Sequence, residues 1–313
     1  PIERMEGNSQ VRIIDVTADS RAVETGSLFF CLRGEHVDGH NFANMAAENG
    51  AAAIIAEKKI DVASDVTIIY VADTRKAMED IVPYFFDYPS KKMRMIALTG
   101  TNGKTTTTHV ISHILHHVGY KTGVIGTVHA LIGDKEIPTH NTTPDVIDLQ
   151  RILYQMLKEN VTHVCMEVSS HSLVMGRVIG CEFDTAVFTN LTEDHLDYHK
   201  TMEAYAAAKA NIFRCQEAGD FTVLNVDDPI VKAMAPKVHA KILCISQQGT
   251  VTDGAYFSDG TCYAVKDGKA VPVVKAADLL IPGQHNIENV LAVIALAYAL
   301  GVDPVAMGEA IRH

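Results

Sequence analysis

Apolar residues along this chain fall into short blocks separated by turn residues, and the spacing of the blocks alternates between strand and helix. Over roughly the first 90 residues, IIDVTADSR (13–21), SLFFCLRG (27–34), AAAIIAE (51–57) and VTIIYV (66–71) are compact apolar runs of strand length. Between them, HNFANMAAENGA (40–51) and TRKAMEDIVPYFFDYP (74–89) have helical spacing, the first stopped by Gly50 and the second near Pro89. These elements predict a small α/β domain over residues 1–90, with the charged cluster SKKMR (90–94) as its boundary.

The same alternation resumes on a larger scale over residues 91–313. Strands are predicted at MIALTG (95–100), KTGVIGT (121–127), THVCMEVSS (162–170), DTAVFTN (184–190), DFTVLNVDDP (220–229) and KILCIS (241–246). Helices are predicted at 104–119, 145–160, 201–215 and 286–301, and another begins in VDPVAMGEAIRH (302–313). Residues 253–275 read as a hairpin with turns at SDG and KDG. Strands alternating with helices imply a mostly parallel sheet covered on both faces, so the expected class is α/β throughout. The most apolar stretch, VLAVIALAYAL (290–300), is too short to span a bilayer and reads as a buried helix.

Composition narrows the function classes. Lys and Arg total 27 against 38 Asp and Glu, a net charge of −11, without the basic surplus of a general nucleic-acid binder. That balance leaves room for anionic ligands, because a local glycine loop binds phosphate in an acidic protein. The six cysteines form no CxxC pair and read as reduced thiols of a cytoplasmic protein. No leader is recognised at Pro1 and no run of 18 apolar residues occurs, so no membrane insertion is expected.

The strongest chemical signal is Gly100-Thr-Asn-Gly-Lys-Thr-Thr106. It is shorter than the usual P-loop pattern, whose first glycine would stand where Leu98 is. The physical core survives: a buried strand, a glycine turn, Gly-Lys-Thr, then a helix. Backbone N–H groups there can cradle phosphates, Lys104 can reach the terminal ones, and the Thr105 hydroxyl can hold Mg²⁺. Glu167 ends an otherwise apolar strand, where a carboxylate faces the ligand crevice of a parallel sheet. SSH (169–171) follows as a polar turn. Asp194, His195, Asp197 and His199 fall within one short loop after the next strand, a metal- or substrate-binding pattern; His199 fits a structural role equally well. Lys209 sits among alanines on a helix, and spacing alone favours a surface lysine there.

With these residues on view, the chain resembles the Mur ligases, ATP-dependent enzymes that add amino acids to a nucleotide-linked peptidoglycan precursor. The resemblance rests on TGTNGKTTT (99–107), NTTPD (141–145), MEVSSHSLVMGRV (166–178), FTNLTEDHLDYH (188–199), EAYAAAKANIF (203–213), NVDDP (225–229) and PGQHNIENVLA (282–292). DSRAVETGSLFFCLRG (19–34) and DGHNF (38–42) are similar to the MurE branch, which adds the third residue to UDP-N-acetylmuramoyl-L-Ala-D-Glu. The resemblance implies an N-terminal UDP-substrate-binding domain over 1–90 and a central ATP-binding domain over 91–313. A C-terminal acceptor domain would begin about where the chain stops, at His313, so a fragment inactive on its own is expected.

The resemblance also implies roles. Gly100, Thr101, Asn102, Gly103, Lys104, Thr105 and Thr106 would bind ATP, with Asn286 and Asn289 near the adenosine. Thr105, Glu167 and His195 would be Mg²⁺ ligands. Lys209 would carry a carbamate toward a second Mg²⁺, and Lys104, Lys209 and His195 would be catalytic. Thr142, Thr143, Ser169 and Arg177 would hold the nucleotide-linked peptide, and Ser20 and Arg21 the uridine nucleotide. The family reaction proceeds through an acyl phosphate, and a monomer is expected. Met175 stands where some MurE proteins have a glutamine, while QHNIEN (284–289) and residues 254–268 are more similar to the MurD or MurC branch. A MurD-like or folylpolyglutamate-synthetase-like ligase, or a non-catalytic nucleotide-binding module, is the alternative. The acceptor, meso-diaminopimelate or L-lysine, stays open.

Overall fold

The computed structural model describes residues 2–34, 37–63, 65–133, 135–139, 141–279 and 283–312. Pro282 of the PGQHN segment and the terminal His313 lie outside them. The chain divides into two compact units, Pro1–Tyr88 with Val146–Arg151, and Pro89–Asp145 with Ile152–His313.

The first unit holds strands β1 (Ile2–Glu6), β2 (Asp15–Thr17), β3 (Ser27–Phe30), β4 (Ala53–Ala56) and β5 (Thr67–Val71), with helices α1 (Ala43–Glu48) and α2 (Thr74–Phe85). The sheet order is β1-β5-β4-β3-β2. Strands β2 to β5 pair in parallel, and β1 is antiparallel to β5. The short apolar runs form parallel strands because both of their faces are covered: Phe29, Phe30, Ile54 and Ile55 are fully buried. Helix α2 starts where the Asp73 side chain accepts from the Lys76 N–H, an N-cap that satisfies one free donor of the first turn.

The second unit is one eleven-stranded sheet. Its first strand, β6 (Arg94–Thr99), leads into α3 (Lys104–His117), β7 (Thr122–Ile125), β8 (Ala130–Ile132) and β9 (Lys135–Ile137). Next come α4 (Val146–Lys158), which belongs to this unit from Ile152 onward, β10 (His163–Glu167), α5 (Ser170–Val174), β11 (Thr185–Phe188), α6 (Leu196–His199) and α7 (Met202–Ala210). The chain continues through β12 (Phe221–Asn225), α8 (Pro229–Lys232), β13 (Lys241–Ser246), β14 (Gly254–Ser258), β15 (Thr261–Lys266), β16 (Lys269–Lys275), α9 (Gln284–Ala299) and α10 (Pro304–Arg312). The order is β16-β15-β14-β13-β12-β11-β6-β10-β7-β8-β9. Pairing is parallel from β7 through to β14 and antiparallel at both flanks. The apolar run of α9 is buried from Val290 to Ala297 and packs with Ile96, Leu98, Ile111 and Val223.

Three expectations change in detail. Residues 253–275 form a three-stranded meander rather than one hairpin, because both SDG and KDG reverse the chain: Asp259, Gly260, Asp267 and Gly268 all have positive φ. The segment SSH is not a free turn. The Ser169 hydroxyl accepts from the Ser172 N–H and caps α5. Lys209 is not a surface lysine; it is 1% exposed.

The strand order places the site. β6 lies between β10 and β11, so the connections on its two sides run in opposite directions across the sheet. At such a switch point the loops after neighbouring strands diverge and leave a crevice outside the carboxyl ends. Gly100, Thr127, Glu167 and Thr189 stand at or just beyond the ends of β6, β7, β10 and β11.

Candidate nucleotide and metal site

The loop after β6 turns sharply on two glycines. Gly100 has φ +141° and Gly103 φ +85°, both in the region that side chains avoid. A Cβ on Gly100 would lie 2.0 Å from the Thr189 Oγ1, and one on Gly103 2.2 Å from the Asn289 Oδ1. The loop is pinned from β11: Asn102 N–H donates to Asn190 Oδ1 (2.9 Å), and Thr189 Oγ1 donates to the Asn102 carbonyl (2.7 Å). Thr101 N–H donates to the Asn190 carbonyl, and the Thr101 hydroxyl to that of Thr192. Gly103 immediately precedes α3 with no side-chain cap on the helix. The first-turn N–H groups of α3 therefore remain available to an anion, and the helix dipole favours one there.

Beside the loop is a cavity of about 1040 Å³. Asn102, Gly103 and Thr106 line one side of it, and Asn286, Asn289 and Glu288 of α9 another. Asp227 and Asp228, in the turn after β12, complete the polar rim. Asn286 and Asn289 are buried, and Asn289 Nδ2 donates to Asn286 Oδ1 at 3.4 Å. The cavity thus joins the glycine loop and the two asparagines that the sequence singled out.

Two lysines converge on one carbonyl. Lys104 Nζ donates to the Gly100 and Thr101 carbonyls, each at 2.9 Å. Lys209 Nζ donates to the same Gly100 carbonyl at 2.7 Å and lies 4.8 Å from the centre of the Tyr205 ring. Burial pushes the Lys209 ammonium down to about 7, and the positive charge of Lys104 adds to that; Asp194 opposes it. Lys104 is lowered too, first by burial, with Glu167 and Asp194 acting against the shift.

Glu167 is 1% exposed, and its carboxylate accepts three hydrogen bonds. Its Oε2 accepts from the Thr105 hydroxyl (3.0 Å) and the Thr127 hydroxyl (3.1 Å), and its Oε1 accepts from the Thr127 N–H (3.1 Å). Its backbone carbonyl accepts from the Thr143 hydroxyl (3.0 Å). Thr143 in turn accepts from the Ser169 N–H, and its carbonyl accepts from the Arg177 guanidinium. Arg177 also pairs with Asp145 at 2.8 Å. Thr143, Ser169 and Arg177 therefore form one network attached to Glu167, and Thr142 joins it through the Thr127 hydroxyl, 3.2 Å away.

His195 stands apart from that network. It has φ +52°, its side chain is 49% exposed, and its Nε2 lies 3.5 Å from Asp194 Oδ2. Its ring lies 5.1 Å from His171 and 6.2 Å from Tyr205, the ring that also contacts Lys209. His199 is buried and bonded through Nε2 to the Ser170 hydroxyl at 2.9 Å, a structural position. Among the described residues no group of three or more His, Cys, Asp or Glu is set to hold a metal. Any ion here would draw on hydroxyl and carboxylate oxygens, as Thr105 and Glu167 offer, which suits a hard cation such as Mg²⁺.

In the first unit, Ser20 is buried with its hydroxyl 3.4 Å from Met45 Sδ. Arg21 is exposed and forked onto Asp19, with contacts of 2.9 and 2.8 Å.

Sequence reading missed Thr127, Asn190 and Tyr205. Asn190 and Thr127 were findable, since each closes a predicted strand at the end where Glu167 was placed. Tyr205 carries no such signal, because its place beside Lys209 depends on which helix face is buried.

Comparison with known proteins identifies the family. The Mur ligase middle domain matches residues 98–297, and the Mur ligase family catalytic domain matches residues 12–85. The chain is 44% identical over 296 residues to the UDP-N-acetylmuramoyl-L-alanyl-D-glutamate–2,6-diaminopimelate ligase of Geobacillus kaustophilus, covering 92% of this chain and 60% of that protein. It is 41% identical over 318 residues to the ligase of the same name from Bacillus licheniformis, covering 98% of this chain and 64% of that protein. A solved structure of a ligase of that name superposes with a TM-score of 0.82 at 32% identity, over 96% of this chain and 62% of the other. The chain thus spans a little over 60% of the length of these relatives. With the middle-domain match running through the glycine loop and across most of the chain, the chain belongs to the Mur ligase family.

Proposed function

We propose that this span serves an ATP-dependent ligase of the MurE type, which joins 2,6-diaminopimelate to UDP-N-acetylmuramoyl-L-alanyl-D-glutamate. The acceptor, which the sequence left open, follows the names of the relatives. The observation that carries the reading is the convergence of the glycine loop, the half-buried Lys104, the buried Lys209 and the Glu167 network at the carboxyl ends of the central strands.

The residues fit Mg²⁺ and ATP. The Gly100 and Gly103 cradle is too close-set for any Cβ, and the cavity against Asn286 and Asn289 leaves room for a nucleotide. Thr105 and Glu167 would hold Mg²⁺, with His195 at a second position. When bound, Mg-ATP supplies the phosphoryl group that activates a substrate carboxylate toward an amine. Lys104 brings a half-buried positive charge to the phosphates, worth more there than in bulk water. Thr142, Thr143, Ser169 and Arg177 are the substrate-peptide contacts in this reading, and Ser20 and Arg21 the uridine-nucleotide contacts.

Lys209 takes the role of the carbamate. Its amine attacks CO₂, an N–C bond forms, and one proton leaves for solvent. That requires a neutral amine, and an ammonium lowered to about 7 supplies one near neutral pH. The product is an anion where the free ammonium would repel a metal. No helix of the described residues is long and apolar enough to cross a membrane.

The test is calorimetric titration of the chain with Mg-ATP and with UDP-N-acetylmuramoyl-L-Ala-D-Glu. Saturable binding of both supports the reading, and binding of neither overturns it.

A further inference from the structure

We infer that Thr127 is a positioning residue that fixes the Glu167 carboxylate and links it to the Thr142 side chain. The inference rests on the reading of Glu167 and Thr105 as Mg²⁺ ligands.

Strand β7 pairs in parallel with β10, and Ile125 stands opposite Met166. Two residues beyond Ile125, Thr127 is level with the Glu167 side chain and grips it twice. The backbone N–H holds Oε1 and the hydroxyl holds Oε2, each at 3.1 Å. Gly126 makes that approach feasible, since a Cβ there would lie 2.5 Å from Glu167 Oε1.

A threonine hydroxyl has one proton to give and lone pairs to receive. The Thr127 proton goes to Glu167 Oε2. The Thr142 hydroxyl, 3.2 Å from the Thr127 oxygen, is then the donor of that contact. The result is a directional chain, Thr142 O–H to Thr127 O–H to the carboxylate. Thr105 O–H donates to the same Oε2, which leaves the lone pairs of the Thr105 oxygen free for a cation. The carboxylate therefore has its orientation fixed by neighbours while retaining lone pairs of its own. Hydrogen bonds of this kind to a metal-binding group typically change metal affinity by about 10–100-fold.

The link to Thr142 gives the chain a second consequence. An anionic group that takes the Thr142 proton withdraws the donor to Thr127 and weakens the polarisation of the chain. Thr127 thereby couples the 141–145 segment to the carboxylate.

The experiment titrates the 313-residue chain with ATP at a series of Mg²⁺ concentrations and reads the Mg²⁺ concentration at half-maximal nucleotide affinity. Thr127→Val keeps the shape and the backbone N–H and removes only the hydroxyl; Thr127→Ser restores it. Thr127 is exposed, and thermal unfolding of each variant checks that the fold is kept. The expected result is an approximately tenfold rise in required Mg²⁺ for Thr127→Val, with Thr127→Ser within twofold of the unaltered chain. Equal Mg²⁺ dependence for Thr127→Val and the unaltered chain overturns the inference and leaves the nucleotide reading intact. Nucleotide binding by the unaltered chain that does not respond to Mg²⁺ overturns the inference together with the reading of Glu167 and Thr105 as Mg²⁺ ligands.

Discussion

At the amino end of the β6–β11 pair, Asp184 accepts from the Arg94 guanidinium at 2.6 Å and from the Met95 N–H at 2.8 Å. Nearby, at the start of β10, His163 is buried against the Tyr120 ring, 4.3 Å between centroids. At the carboxyl end of the same strands, the Gly100 carbonyl receives two ammonium groups, both lowered chiefly by burial. Both ends are polar and both are hydrogen-bonded. At the amino end opposite charges meet and hold strands together. At the carboxyl end like charges crowd on one acceptor beside an uncapped helix start, an arrangement that an arriving anion would relieve. The contrast teaches that polarity at the strand ends is not itself a functional signal; like charges held on one acceptor are. Sites of this kind cost stability that the rest of the fold supplies.

Substitutions can break or sharpen this contrast. The largest effect is expected for Gly103→Ala, because the residue needs φ +85° and its Cβ would collide with Asn289. Nucleotide affinity should fall about 100-fold, equivalent to about 2.7 kcal/mol, read by calorimetry. Retention of full affinity would mean that the loop does not touch the nucleotide.

Asp184→Ala should act in the opposite sense. It strips the acceptor from the Met95 N–H and should lower urea-unfolding stability by about 1–3 kcal/mol. The exposed Arg94 partner adds little to that, as surface ion pairs generally do. Nucleotide affinity should stay within twofold, and a parallel loss of affinity would join the two ends into one cooperative site.

The smallest effect concerns pH. His163 is lowered by burial first and then by the Arg94 charge, with Asp184 opposing. The folded state therefore takes up its proton at lower pH than the unfolded chain does. Between the unfolded value, about 6.5, and the lowered folded value, the unfolded chain binds more protons, so stability falls as pH falls. His163→Asn should make the urea midpoint less sensitive between pH 7 and 5.5. An unchanged pH slope would show that His163 contributes nothing to it.

The legible parts of the molecule were those set by local physics. The glycine loop needs its residues in sequence, and the strand carrying Glu167 announces itself by apolar content. The buried α9 was equally plain, since a run such as VLAVIALA has no polar face to offer water. What escaped depends on tertiary context. Strand β1 is exposed along most of its length and pairs only because the β5 edge receives it, so it has no alternation to read. β8 and β9 are three residues each, too short for a period. The depth of Lys209 was hidden because alanines flank it on every side. Its burial follows from the phase that places Tyr205 and Lys209 together on the inner face of α7. The grip of Thr127 on Glu167 needs two parallel strands in register, which neither strand reveals alone.

The central claim is that the carboxyl end is built to receive an anionic nucleotide at some expense in stability. The most direct measurement compares Lys104→Met with the unaltered chain by Mg-ATP calorimetry and urea unfolding on the same preparations. The account predicts nucleotide affinity at least about 100-fold weaker and, with CO₂ excluded so that Lys209 stays a free amine, an unfolding midpoint equal to or higher than before, because one of the two lysine charges crowded on the Gly100 carbonyl is gone. Unchanged nucleotide affinity would contradict it.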